Sequence, residues 1–281
     1  EYYLENEDKN GYANPIVENL TGTTDTTAYA EEKTFDHFTL NYFMSQLGGN
    51  IDGDGSRVLR MYYTRTTYSV FSSDTSMGSV TNFGNYTYRE GFGLTLKETH
   101  ILGYNFLGWY SGNQLLSTDS EYNATIDRNI EARFDIAPEM QNFYFTSGET
   151  TCTITGVKDA SVIKIIIPEC VTSISDYVFS NCANLEEIYF NAVAMNDLTS
   201  SNCVFDNAGQ NGDGIKLIIG KNVTKIPAYL FYGYNSSQYS QKITSLEFEE
   251  GSLCESIGRL AFYYYQSLRI VEIPNSVTRI D

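Results

Sequence analysis

The chain has 281 residues, 42% of them hydrophobic, with 23 Tyr and 16 Phe. That much apolar surface excludes a disordered polypeptide, and the length calls for more than one domain or one long array. Its 18 basic against 35 acidic residues leave a net charge of −17, spread over both halves; such a field repels phosphate backbones and argues against nucleic acid as a partner. No run approaches 18 consecutive apolar residues, so no segment reads as a membrane-spanning helix.

The chain opens on Glu1-Tyr2-Tyr3-Leu4, neither a signal peptide nor an initiator, which reads as a cut inside a larger precursor. Two alternating segments, Val58-Leu59-Arg60-Met61-Tyr62-Tyr63 and Ile130-Glu131-Ala132-Arg133-Phe134, each follow a turn and predict terminal strands. Tyr62 and Phe134 lie 72 residues apart, so the first half divides into two β-rich modules, 1–66 and 67–135. Asn50-Ile51-Asp52-Gly53-Asp54-Gly55 imitates half of a calcium loop, but the twelfth position holds Met61 where a bidentate Glu is needed. A tight turn explains the same letters, and Asn211-Gly212-Asp213-Gly214 reads likewise. The single Trp109 is weighed as a core anchor against a sugar platform, with the anchor favoured.

Both modules resemble known surface-protein repeats. Tyr2-Tyr3-Leu4, Leu20-Thr21-Gly22-Thr23-Thr24 and Leu59-Arg60-Met61-Tyr62-Tyr63 make 1–66 similar to a mucin-binding-protein-type (MucBP) or internalin B-repeat module. Gly103-Tyr104-Asn105-Phe106-Leu107-Gly108-Trp109-Tyr110, with Leu116-Ser117-Thr118-Asp119, makes 67–135 similar to the divergent internalin B-repeat, or Listeria–Bacteroides repeat. Both resemblances imply β-grasp-like folds.

After a boundary at Ile136-Ala137-Pro138, the second half repeats itself. Ile163-Lys164-Ile165-Ile166-Ile167-Pro168 recurs as Ile215-Lys216-Leu217-Ile218-Ile219-Gly220 at a shift of 52 residues. It recurs again as Arg269-Ile270-Val271-Glu272-Ile273-Pro274 at 106. Such periods predict a solenoid. Each unit reads as a short strand, a Pro or Gly stop, a second extended piece with Val171, Val223, Cys254 or Val277, and a turn or short helix. That turn carries a phenylalanine. Phe179, Phe205, Phe231 and Phe262 are separated by 26, 26 and 31 residues and predict an internal ladder of rings. The segment 236–241 reads as an insertion, and Val277-Thr278-Arg279-Ile280-Asp281 as the opening of a further unit.

The pattern I-x-x-x-[AVL]-F, the following L-x-x-I-x-[IF] and the I-P-x-x-V-T-x-I connector resemble the BspA-like leucine-rich repeats of bacterial surface proteins over 138–281. The family often has Cys or a small residue three after the Phe; Cys182 keeps that, whereas Tyr234 and Tyr265 depart from it. The expected architecture is mainly β with short helices: two β-grasp-like modules followed by a leucine-rich-repeat solenoid.

Chemistry finds little purchase. The five Cys, at 152, 170, 182, 203 and 254, form no C-x-x-C and read as small buried apolar side chains, so no metal and no cofactor is implied. His37 and His100 lack a partner motif for a serine nucleophile, and no Gly-rich phosphate loop follows a strand. The expected function is therefore non-enzymatic. If Ile165, Ile188 (or Phe190), Leu217, Leu246 and Val271 point inward, Ile166, Tyr189, Ile218, Glu247 and Glu272 face out, one per unit, with Lys164, Glu187 and Lys216 two residues earlier on the same side. A second candidate is a patch of Tyr239 and Tyr263, with Tyr265 packing beneath the rings. The resemblance implies an extracellular, cell-surface adhesin whose sheet binds a host or microbial protein. The alternatives are carbohydrate recognition through Trp109 or the tyrosines, and a stalk that only displays another domain.

Overall fold

The computed structural model describes residues 1–233, 243–264 and 267–281. The chain forms two compact units: Glu1–Thr99 with Phe106–Arg133, and His100–Asn105 with Phe134–Asp281. Nearly all regular structure is strand. Among the described residues the one helix is a single 3-10 turn, Pro138–Met140.

In the first unit, the strand Tyr2–Leu4 runs parallel to Met61–Arg65, which pairs antiparallel with Phe38–Leu40 on its other edge. The terminal strand predicted at 58–63 thus begins three residues later than its alternation suggested. Residues 58–60 are outside any strand, although Leu59 C=O still accepts a bond from the chain's amino terminus at 3.0 Å. Alternation buries Met61 and Tyr63 against Tyr2, and Phe35 closes on Tyr63 edge-to-face at 4.8 Å. The same plan recurs further along: Thr67–Ser72 runs parallel to the start of Ile130–Ile136, with Gly84–Thr87 antiparallel on its other edge. Trp109 lies in this second set of strands with no exposed surface, its indole N–H donating to Asp119 C=O at 2.9 Å. At 52–56 the chain does turn: Gly55 takes φ +74°, and Asp54 accepts the Ser56 N–H at 3.0 Å.

The second unit is built on a five-stranded parallel sheet, in the order Lys164–Ile167, Glu187–Phe190, Ile215–Ile219, Ile243–Phe248 and Ile270–Val271. Its register is the one the repeats imply. Ile165 pairs with Ile188, Ile188 with Leu217, Leu217 with Leu246, and Leu246 with Val271. The first four of these five are buried in one continuous core with Ile167, Phe190 and Ile219. Each such side chain removed from water contributes about 1.5–3 kcal/mol. Val271, expected inward, is 43% exposed, because among the described residues its strand is paired along one edge only.

Across the core lie short parallel ladders, Lys225–Ile226 with Ser256–Ile257 and Ser256–Ile257 with Arg279–Ile280. At the other end the hairpin of Phe143–Ser147 and Cys152–Val157 pairs in parallel with Ser173–Ile174. Between sheet and ladders stand the four rings. Phe179 stacks on Phe205 at 4.8 Å, Phe205 on Phe231 at 5.2 Å, and Phe231 on Phe262 at 5.4 Å, with interplanar angles of 14°, 24° and 9°. Phe143 of the hairpin meets Phe179 edge-on at 6.2 Å. Phe179, Phe205 and Phe231 are buried, while Phe262 at the far end is only partly covered.

Where a turn or a short helix was expected to carry each ring, the structure has turns, and a local reason is visible. Two residues ahead of each ring, Tyr177, Cys203, Tyr229 and Leu260 adopt φ of 56°, 42°, 57° and 54°. A left-handed residue ends any right-handed helical run. The chain instead passes its hydrogen bonds sideways: Phe179 N–H donates to Val204 C=O and Phe231 N–H to Ala261 C=O, both at 3.0 Å.

Candidate functional site: the outward face of the repeat sheet

Because side chains alternate along a strand, burying Ile165, Ile188, Leu217 and Leu246 turns their neighbours outward. Ile166, Tyr189, Ile218 and Glu247 are consecutive partners in the register and form one row across four strands. Ile166 is 44% exposed, and the other three are half-buried against one another. Glu272 is exposed but lies outside the paired part of the last strand, so it does not extend the row.

A second row runs beside the first. Lys164, Glu187 and Lys216 are partners in register. Lys164 Nζ sits 2.5 Å from Glu187, while Lys216 reaches diagonally to Glu247 at 2.7 Å and so ties the two rows together. All four side chains are substantially exposed, and such pairs contribute at most about 1 kcal/mol. Their effect is to order the charges. Lys164 also lies 5.8 Å above the Tyr189 ring.

One residue the sequence reading did not single out fixes this face. The Tyr189 hydroxyl donates to Glu249, and the same carboxylate accepts the Lys221 N–H at 2.7 Å. The hydrogen bond to Glu249 pushes the Tyr189 phenol up to about 12, and the reciprocal bond from Tyr189 holds Glu249 below the usual carboxylate range. A carboxylate held ionised by two donors presents its remaining lone pairs to incoming N–H or O–H groups. Its two anchors, 60 and 28 residues away in sequence, left no local motif to read.

Ile166, Pro168, Asn191, Lys221, Asn222 and Glu249 line a cleft of about 410 Å³. His100, Tyr104, Glu139 and Cys170 also line it, all within the second unit. His37, in the first unit, is stacked on Tyr88 at 3.9 Å, its Nδ1 2.9 Å from the Tyr68 hydroxyl.

These features carry a family signature. The BspA type Leucine rich repeat region matches in six copies, over residues 134–238 and 157–281, together more than half of the chain. The chain belongs to the BspA-type leucine-rich repeat family. No curated protein and no solved structure is matched.

The second candidate patch lies along the edge of the leucine-rich repeats. Tyr232 stacks on Tyr263 at 5.4 Å with planes 7° apart, Tyr229 packs on Tyr232 at 5.4 Å, and Tyr264 meets Tyr263 edge-on at 4.3 Å. Tyr263 is 40% exposed. Tyr239, Tyr234, Tyr265 and the 236–241 insertion lie outside the described residues. Trp109, fully buried, is not available as a sugar platform. Of the five cysteines, all free thiols, four are buried and Cys170 is half-exposed on the cleft. Among the described residues no cluster of His, Cys, Asp and Glu has the geometry of a metal site, and no helix is long and apolar enough to cross a membrane.

Proposed function

We propose that this chain is part of a non-enzymatic bacterial surface protein, and that its leucine-rich repeats form a solenoid whose outward sheet face binds an extracellular protein of host or microbial origin. The first unit, with β-grasp-like modules, serves as a spacer. The observation that carries this reading is the Ile166–Tyr189–Ile218 row: apolar and aromatic, continuous across three strands, framed by ordered charges and held at the Tyr189 hydroxyl by Glu249. A rigid aromatic anchor within a polar rim is the composition of a protein interface. Glu249 supports binding over catalysis, since a carboxylate pinned in its ionised form is a poor proton shuttle near neutral pH.

A screen of the chain against extracellular-matrix and microbial surface proteins, read by surface plasmon resonance, tests this. For the partner captured, Tyr189→Ala and Ile218→Ala are expected to weaken binding at least tenfold each, while Tyr144→Ala, an exposed site elsewhere in the unit, leaves it unchanged. Binding that survives deletion of residues 138–281 contradicts the proposal. The parallel Tyr232–Tyr263 stack favours a second reading, a carbohydrate-binding edge. A glycan array with Tyr263→Ala separates the two.

A further inference from the structure

The first turn of the repeats holds a feature that the sheet face does not use. Cys152 begins the second strand of the hairpin and is fully buried. Directly across the hairpin from it stands Ser147. On its other side Thr172 is locked to it: Thr172 N–H donates to Cys152 C=O at 2.8 Å, and Cys152 N–H donates to Thr172 Oγ1 at 2.8 Å. Two residues before Thr172, Cys170 sits in the turn closed by Val171 N–H and Pro168 C=O at 3.2 Å. Cys170 is packed against the core cluster that contains Cys152, and each thiol is the largest influence on the other's proton. Ser147 Oγ, on the register partner of Cys152, is buried with no hydrogen-bond partner, and its hydroxyl favours the Cys152 thiolate.

We propose that Cys152 and Cys170 are a modification site, oxidised by a low-molecular-weight disulfide to a cystine that ties the end hairpin to the first repeat. The Cys170 thiol and the Ser147 hydroxyl favour loss of one proton from the pair, bringing the Cys152 thiol down to about 7. Cys170 lines the open cleft and is the sulfur an oxidant reaches. The Cys170 thiol, which holds its proton more tightly than Cys152 does, passes that proton to the Cys152 thiolate as its sulfur attacks one sulfur of the small disulfide; a Cys170–small-thiol bond forms, and the departing small thiolate takes the proton from Cys152. The Cys152 thiolate then attacks the Cys170 sulfur and expels the second small thiolate, which takes up a proton. Two protein S–H bonds are exchanged for one S–S bond, and the small disulfide gains the two electrons. The remaining cysteines, Cys182, Cys203 and Cys254, are buried and occupy separate turns, so each lacks a second thiol to pair with.

The product would staple the end of the array. The hairpin places Phe143 against Phe179, the first ring of the stack, and closing the segment between residues 152 and 170 restricts the unfolded chain.

The test uses the whole chain, incubated with oxidised or reduced glutathione, denatured, alkylated and mapped after trypsin. Cleavage at Lys158 and Lys164 separates the two cysteines. After oxidation, alkylation is expected at Cys182, Cys203 and Cys254 alone, with the Cys152 and Cys170 peptides cross-linked and the intact mass lower by two hydrogens. The oxidised chain should also melt several degrees higher than the reduced one, a difference that Cys170→Ser removes. Five alkylated thiols after oxidation, a stable glutathione adduct in place of the cross-link, or a link involving any other cysteine overturns the proposal. The peptide map of the unmutated chain stands whether or not Cys170→Ser folds.

Discussion

At Tyr189 one phenol does two jobs, and pH can separate them. Its ring belongs to the outward row, while its hydroxyl is spent on Glu249. That bond raises the phenol from 10.0 to about 12. A group whose folded pKa lies above its unfolded value contributes stability that is complete below the unfolded value and lost as pH rises through the folded one. The stability advantage of the native chain over Tyr189→Phe is therefore expected to be constant up to about pH 10 and to vanish between about pH 10 and 12. Urea unfolding of both proteins across that range measures it. An advantage that persists above pH 12, or that is absent below pH 10, shows that the phenol is not held by Glu249. The sequence disclosed Tyr189 because alternation dictates its facing. It did not disclose Glu249, whose role depends on a register across three strands that only the folded chain supplies.

At the scale of the element, spacing in sequence translated into spacing in space wherever one core imposed both. The ladder residues Phe179, Phe205, Phe231 and Phe262 stack because each sits at the same point of successive turns. The inward rows Ile165–Ile188–Leu217–Leu246 follow from the same period. What escaped the reading was backbone conformation. Nothing in the letters of Tyr177 or Leu260 announces a left-handed residue, since both types normally avoid it, so a short helix was as reasonable as the observed turn. The start of the strand at Met61 was missed for a related reason: alternation in 58–63 continues upstream of the point where a pairing partner begins. Glycine is equally informative where turns touch. A Cβ on Gly258 would lie 2.5 Å from the Ala228 nitrogen and 2.8 Å from the Ile226 carbonyl oxygen. Both are main-chain atoms of the preceding turn and cannot swing aside. Gly258→Ala is expected to cost about 1–3 kcal/mol by forcing the Ser256–Ile257 and Lys225–Ile226 ladder apart. Chemical denaturation measures it, and a neutral substitution would show that adjacent turns are not in contact there.

For the molecule as a whole, the two units rest on different physics. The first is held by local aromatic clusters, such as Tyr2, Tyr63 and Phe35, within small sheets. Its resemblance to surface-protein modules rested on short motifs, and the pairing of first and last strands in parallel is the structural feature that those motifs left unstated. The second has one core that no single repeat could bury alone, and its long-range parallel pairing gave the sequence its legible period. Acidity is spread over both halves, and the mixed-charge rows of the sheet are a local exception to it. The four stacked rings form one spine along the turns that carry them. Native-state hydrogen exchange on Phe205→Ala tests it most directly. Removal of this buried ring should cost about 3–5 kcal/mol and lower protection by a common factor in the strands on both sides, from Lys164–Ile167 to Ile243–Phe248. Loss of protection confined to the strands adjoining residue 205, with Lys164–Ile167 and Ile243–Phe248 unaffected, would contradict it.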